Sequence, residues 1–228
     1  MQSTRVRNTK GFTLVEMLVA MFVVTLLSAG LFIFMVDVSK GIFWGTEKAE
    51  ISEDVRTFTM RIAAEARSAN SAYIYTSFNK EDRDQDSDKQ KAGQSGDCLV
   101  LVNTEYYPDS DSPTHYTRII VYYRIPDDEG DEAGPVHRYE WEASGPSQYV
   151  SSVGPGGAAV PLESVLTSKI PNIPKDDPVV IELSRGVADG RLFTNYKDTT
   201  IVINGEILHG NKVKEVTNTY NLSISPRG

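Results

Sequence analysis

From Phe12 to Val36 the chain runs for 25 residues with a single formal charge, Glu16. As an α-helix rising about 1.5 Å per residue, such a run exceeds the roughly 20 residues that cross the hydrocarbon core of a bilayer. A carboxylate inside it is unfavourable by roughly a few kcal/mol near the bilayer centre and by less near the interface, so Glu16 requires a partner. Residues 1–11 carry Arg5, Arg7 and Lys10 and no acid, a bias that keeps the N-terminus of a spanning helix in the cytoplasm. A secretory signal peptide has an apolar core of about 7 to 15 residues followed by small residues at the cut. This run is longer, bears Glu16 near its start, and offers only Leu27-Ser28-Ala29 as a poor cleavage site. A plain single-span anchor accounts for the leader and the run but gives neither Gly11 nor Glu16 a role.

The heptapeptide Lys10-Gly11-Phe12-Thr13-Leu14-Val15-Glu16 resembles the start of type IV prepilins and pseudopilins. The resemblance implies a leader ending at Gly11, cleavage between Gly11 and Phe12 by a prepilin peptidase, N-methylation of Phe12, and Glu16 as the assembly carboxylate. It divides the chain into a leader (1–11), a transmembrane and filament-core helix (12–36), an amphipathic periplasmic half of that helix (37–71) and a globular β-rich domain (72–228). It implies a single pass through the bacterial inner membrane, with membrane lipid around the helix before assembly and a pilus or pseudopilus after it. The partners it implies are other pilins or pseudopilins in a hetero-oligomer, the peptidase and an inner-membrane assembly platform. Glu16 would face the free amine of Phe12 on an adjacent subunit, and a charge pair in a dry core sets register more than it adds stability.

The formal charge is −8, and residues 1–36 contribute +2, so the remainder sums to −10. An acidic exterior disfavours nucleic acid, which is bound largely through Lys and Arg. Cys98 is the only cysteine, excluding an intrachain disulfide; it sits in the apolar run Cys98-Leu99-Val100-Leu101-Val102, which reads as a buried strand. Many pilins close a C-terminal loop with a disulfide, and the departure from that pattern points toward a minor, tip-located or assembly-initiating subunit rather than a major pilin.

Beyond Val36 the helical pattern continues. Val55, Phe58, Ile62, Ala66 and Ala69 recur at spacings of three and four, with Glu53, Arg56, Arg61, Glu65 and Arg67 placed on other faces. The helix is expected to end near Asn70, and Gly30, Gly41 and Gly45 are expected to bend or locally melt it, each costing about 1 kcal/mol against Ala. Strands are expected at 73–78, 98–103, 116–125, 136–143, 179–184, 199–208 and 216–224. Asn204-Gly205 reads as a two-residue hairpin turn, and Asp127–Gly134 as a longer acidic loop between two strands. The second hairpin, Tyr122-Tyr123-Arg124 followed by Arg138-Tyr139-Glu140-Trp141, and the ending Tyr220 to Arg227 are similar to PilW-like minor pilins and to minor pseudopilin J of type II secretion. The fold class is therefore α+β, a long N-terminal helix packed on a mainly antiparallel sheet.

Asp82, Asp84, Asp86 and Asp88 alternate as at the start of a calcium loop, but Ser87 stands at the sharp-turn position and Gly93 at the bidentate position. Residues 79–96 thus read as a solvated, mobile loop with a weak calcium alternative. His115, His137 and His209 match no zinc spacing. Asp127-Asp128 and Asp176-Asp177 lie beside proline in polar turns, and no nucleophile or phosphate-loop motif occurs. The chain reads as a non-enzyme that needs no cofactor. A periplasmic binding module anchored by one helix is the rival from another class.

Overall fold

A computed structural model describes residues 13–106, 114–125, 134–154, 157–171, 179–186, 190–211 and 214–227, with backbone alone at 47, 51, 179–186, 206–211 and 214–218. Asp127-Asp128, Asp176-Asp177, most of the acidic 127–134 loop and the His209 side chain lie outside the described residues. The chain divides into two compact units, one ending at Thr46 and the other beginning at Glu47.

Helix α1 spans Leu14–Ser68. In the first unit every described side chain from Thr13 to Thr46 is exposed. Gly30, Gly41 and Gly45 do not melt the helix, which is continuous through all three. Three separate losses of about 1 kcal/mol do not stop a helix of 55 residues that contains no proline.

In the second unit, ten strands among the described residues form one antiparallel sheet. They are β1 (Ser71–Tyr75), β2 (Ser95–Gly96), β3 (Cys98–Tyr106), β4 (Thr114–Arg124), β5 (Gly134–Glu142), β6 (Val150–Ser151), β7 (Val179–Gly186), β8 (Phe193–Tyr196), β9 (Thr200–Asn211) and β10 (Lys214–Ile224). Their order is β1-β3-β4-β5-β7-β9-β8-β2, with β10 beside β9 and β6 beside β4. The two ends of this path are tied together. Arg191 donates to the Thr76 carbonyl at 2.6 Å, Asn195 Nδ2 to the Gln90 carbonyl at 2.8 Å, and the Gly93 N–H to the Asn195 carbonyl at 2.8 Å. A Cβ on Gly96 would stand 2.0 Å from the Tyr75 carbonyl oxygen, so this approach admits only glycine.

One sheet face meets α1. Phe58, Ile62, Ala66 and Ala69 are fully buried there against Leu99, Leu101, Ile120, Phe193 and Ile203. The opposite face is also covered, which explains why β3 and β4 are continuously apolar rather than alternating. Its cover is α2 (Leu162–Lys169), whose Leu162, Val165 and Leu166 pack with Val100, Val121 and Tyr123. The i, i+3, i+4 spacing of those three residues was the available sign of this helix.

Three sequence expectations need correction. Asn204-Gly205 is not a turn: β9 runs straight through it, paired along β10 on one side, and on the other with β8 up to Ile203 and with β7 from Gly205. The dipeptide marks the handover between two partner strands, where the Asn204 N–H donates to the Leu192 carbonyl at 3.1 Å. Next, residues 79–96 are solvated, with most of their side chains exposed, but they are organised: two 3-10 turns, Lys80–Asp82 and Asp86–Asp88, flank Arg83, which is fully buried. Its guanidinium donates to the carbonyls of Phe78 (2.8 Å), Leu166 (3.1 Å) and Pro171 (2.8 Å), fastening the segment to α2.

Finally, Glu65, placed by the sequence on a face other than the apolar stripe, meets the sheet. It accepts from Arg138 Nη2 at 2.8 Å and from the Tyr122 hydroxyl, while Glu140 bridges Arg138 at 2.7 Å and Arg118 at 2.5 Å. This alternating row of charges fixes the helix on β4 and β5. The end of α1 is held as well: Asn103 Nδ2 donates to the Ser68 carbonyl at 2.7 Å and the Arg227 N–H to the Ala69 carbonyl at 3.2 Å, two of the acceptors a helix C-terminus leaves open.

Candidate functional site

The start of α1 is built by two residues of the motif. The Thr13 N–H donates to Glu16 Oε2 at 2.9 Å, the Thr13 hydroxyl donates to the same oxygen at 2.9 Å, and the Glu16 N–H donates back to Thr13 Oγ1 at 3.3 Å. The first helical bond follows, Met17 N–H to the Thr13 carbonyl at 3.2 Å. This is a reciprocal capping box, in which the N-cap hydroxyl and the carboxylate three residues later satisfy orphan amides. The Thr-x-x-Glu spacing before an apolar run was its signature in the sequence, and only the Glu was read there. The Glu16 charge also lies at the positive end of the helix dipole.

Both donors converge on Oε2, and Glu16 Oε1 has no partner among the described residues. The cap is therefore compatible with a second interaction at the other oxygen. Gly11 and Phe12 lie outside the described residues. Downstream, the exposed surface of the first unit is apolar over several turns, with Leu14, Leu18, Phe22, Leu26, Phe32 and Phe34 all more than half exposed. By length and composition this helix is compatible with a transmembrane anchor.

The other sequence candidates are dispersed. Asp82 accepts from the Ser77 hydroxyl at 2.5 Å, Asp86 pairs with Lys89 at 2.7 Å, Asp88 accepts from the Gln85 N–H at 2.9 Å, and Asp84 shows no joint site with them. Among the described residues no group of three or more His, Cys, Asp or Glu is placed to hold a metal ion. Cys98 is buried in β3, and burial pushes its thiol up to about 12. His115 lies in β4 near the Tyr149 ring, and His137 in β5 stacks on Tyr123 with ring centroids 5.4 Å apart.

A long N-terminal helix followed by an antiparallel sheet, on which the helix buries one face from Val55 onward, is an α+β, pilin-like arrangement. Residues 6–32 match the model of the prokaryotic N-terminal methylation motif, which supports the type IV pilin and pseudopilin family and processing by its peptidase. No curated protein and no solved structure gives a significant match to the chain.

Proposed function

We propose that the protein is a non-catalytic minor pilin or pseudopilin subunit of a type IV pilus or type II secretion pseudopilus, acting at the filament tip or in assembly initiation. In this reading it waits in the inner membrane with its β-rich domain in the periplasm, is cut between Gly11 and Phe12, is methylated on Phe12, and joins other pilins. The observation that carries it is a coincidence of place: the methylation-motif match at 6–32 overlaps the part of α1 up to Thr46, where every described side chain is exposed. An apolar surface of that extent calls for lipid or for neighbouring helices, and a heterologous contact between related subunits generates a filament. The missing disulfide and the PilW-like hairpin support a minor role.

Intact-mass measurement of the membrane-extracted protein tests the processing: the expected species starts at methylated Phe12. A chain retaining residues 1–11 in cells with active peptidase refutes it and leaves an anchored periplasmic module. The capping box sharpens the second test. Gln at position 16 keeps an acceptor for the cap but no charge for an amine, whereas Ala keeps neither. Crosslinking in membranes is expected to show Glu16→Gln failing to assemble about as fully as Glu16→Ala. Wild-type crosslinking by Glu16→Gln alone would show that the carboxylate serves the cap and not a partner subunit.

A further inference from the structure

We infer that the cleft between β5, β6 and the end of α2 is a binding site for a carboxylated sugar, an activity that goes beyond the filament role and does not depend on it. The cleft has a volume of about 550 Å³, within the roughly 300–1,000 Å³ range of small-ligand sites. Its walls include Trp141, Tyr149, Ser147, Gln148, Val160 and Lys169.

Charge is the first sign. The chain carries 31 acidic residues against 23 lysines and arginines, yet among the described residues none lining this cleft is acidic and Lys169 lines it. The Lys169 ammonium lies 5.4 Å from the centre of the Trp141 ring and has no carboxylate partner among the described residues. A half-buried lysine whose ammonium lies against an aromatic face, with no carboxylate beside it among the described residues, is a ready partner for an anion.

Hydrogen-bonding capacity is the second sign. Gln148 Oε1 is occupied by the Ser144 N–H at 3.1 Å, which leaves its Nε2 donors unengaged among the described residues. The Ser147 hydroxyl and the Trp141 indole N–H likewise have no partner there, and neither is among the buried polar atoms left unsatisfied, so both reach solvent. The residues lining the cleft thus carry an ammonium and three further donor groups beside aromatic rings. An acceptor-rich anion with one apolar flank matches it: a uronate-type pyranose offers the carboxylate to Lys169, ring and hydroxyl oxygens to the donors, and its C–H face to the aromatic wall. A purely apolar acid would leave those donors facing nothing.

The test uses the full-length protein in detergent, titrated with α-1,4-linked trigalacturonate by calorimetry. The neutral trisaccharide maltotriose and a tripeptide with a free C-terminal carboxylate serve as comparison ligands. Saturable binding of trigalacturonate is expected, weakened about tenfold or more by Lys169→Gln, a change of about 1.4 kcal/mol. Ser147→Phe, at an exposed position that fills the cleft mouth without entering the core, is expected to abolish binding while thermal unfolding stays unchanged. Absence of saturation at about 1 mM ligand overturns the proposal. So does equal binding of maltotriose, preferred binding of the tripeptide, or full affinity in both variants.

Discussion

Replacing Glu65 by alanine is the sharpest probe of how α1 is held on its sheet. The side chain is 12 % exposed and its partner Arg138 7 %. Glu65→Ala removes the acceptor for Arg138 Nη2 at 2.8 Å and Nε at 3.3 Å and for the buried Tyr122 hydroxyl. Stripping one partner from a buried pair costs about 3–5 kcal/mol, and one hydrogen bond to a charged group about 1.5–3 kcal/mol. Arg138 keeps Glu140 at 2.7 Å, so its charge is not left bare. The expected loss therefore sits at the lower end, about 3 kcal/mol against a total stability of roughly 5–15 kcal/mol.

The assay is urea unfolding of the full-length protein in detergent, followed by Trp141 fluorescence in a Trp44→Phe background. Glu65→Gln retains acceptors for Tyr122 and Arg138 without the charge, and its loss should be about half that of alanine. Glu53→Ala, on an exposed part of the same helix, is expected within about 0.5 kcal/mol of wild type. A double-mutant cycle of Glu65→Ala with Arg138→Ala isolates the pair, with coupling above about 1 kcal/mol expected. A Glu65→Ala loss no larger than that of Glu53→Ala, or a coupling near zero, would refute the view that this row of charges docks the helix.

Arg83→Met should destabilise by about 2–4 kcal/mol through three orphaned carbonyls, and Arg83→Lys should not rescue it, because an ammonium lacks the planar fork that reaches all three; faster proteolysis within residues 79–96 reads the effect. Burial alone would raise the Glu140 carboxyl, but hydrogen bonds from Arg138 and Arg118 outweigh it and hold the group below the ordinary carboxylate value. Its stabilisation is thus present above a pH of about 4 and lost as the pH falls through the lowered value, so Glu140→Gln should flatten the acid limb of stability against pH. Cys98, pushed up to about 12 by burial, should resist iodoacetamide in the folded protein and react in step with unfolding. With a folded value above the unfolded one, its contribution is complete below about 9 and declines as the pH rises beyond that. Alkylation of native protein at the rate of a free thiol would contradict the buried placement.

The stripe of Val55, Phe58, Ile62, Ala66 and Ala69 was readable because burial on a helix follows its 3.6-residue period, and the core of β3 and β4 because a continuous apolar run has few other uses. Glu65 follows the same period, three residues after Ile62 and one before Ala66, at the edge of that stripe. Periodicity does not reveal that Tyr122 and Arg138 stand opposite. Arg83 was hidden by its neighbours: a run of Asp, Gln, Ser and Lys has the composition of a solvated loop, and its burial is decided by Leu166 and Pro171, more than eighty positions away. Asn204-Gly205 shows the opposite failure. A strong local preference for positive φ gave way because strands on both sides of β9 hold it extended. Local pattern is informative where each residue's role depends on its own helix or strand, and loses force where a polar group or a glycine is claimed by a distant partner.

Thr13 and Glu16 bring both situations into one motif. As a capping box they act within four residues and start the helix. As an assembly element Glu16 would act on an amine that belongs to another chain. The two roles do not compete, since the cap uses Oε2 and leaves Oε1 without a partner among the described residues. Nor would the proposed cleavage between Gly11 and Phe12 dismantle the cap, because the Thr13 N–H would stay an amide in the shortened chain. A carboxylate already locked by two bonds loses little rotamer freedom on meeting a second donor, so the cap preorganises the charge that a neighbouring subunit would meet. On that reasoning Thr13→Val, which removes the hydroxyl but keeps every charge, should weaken assembly without abolishing it, an intermediate result that neither a pure cap nor a freely mobile Glu16 would give.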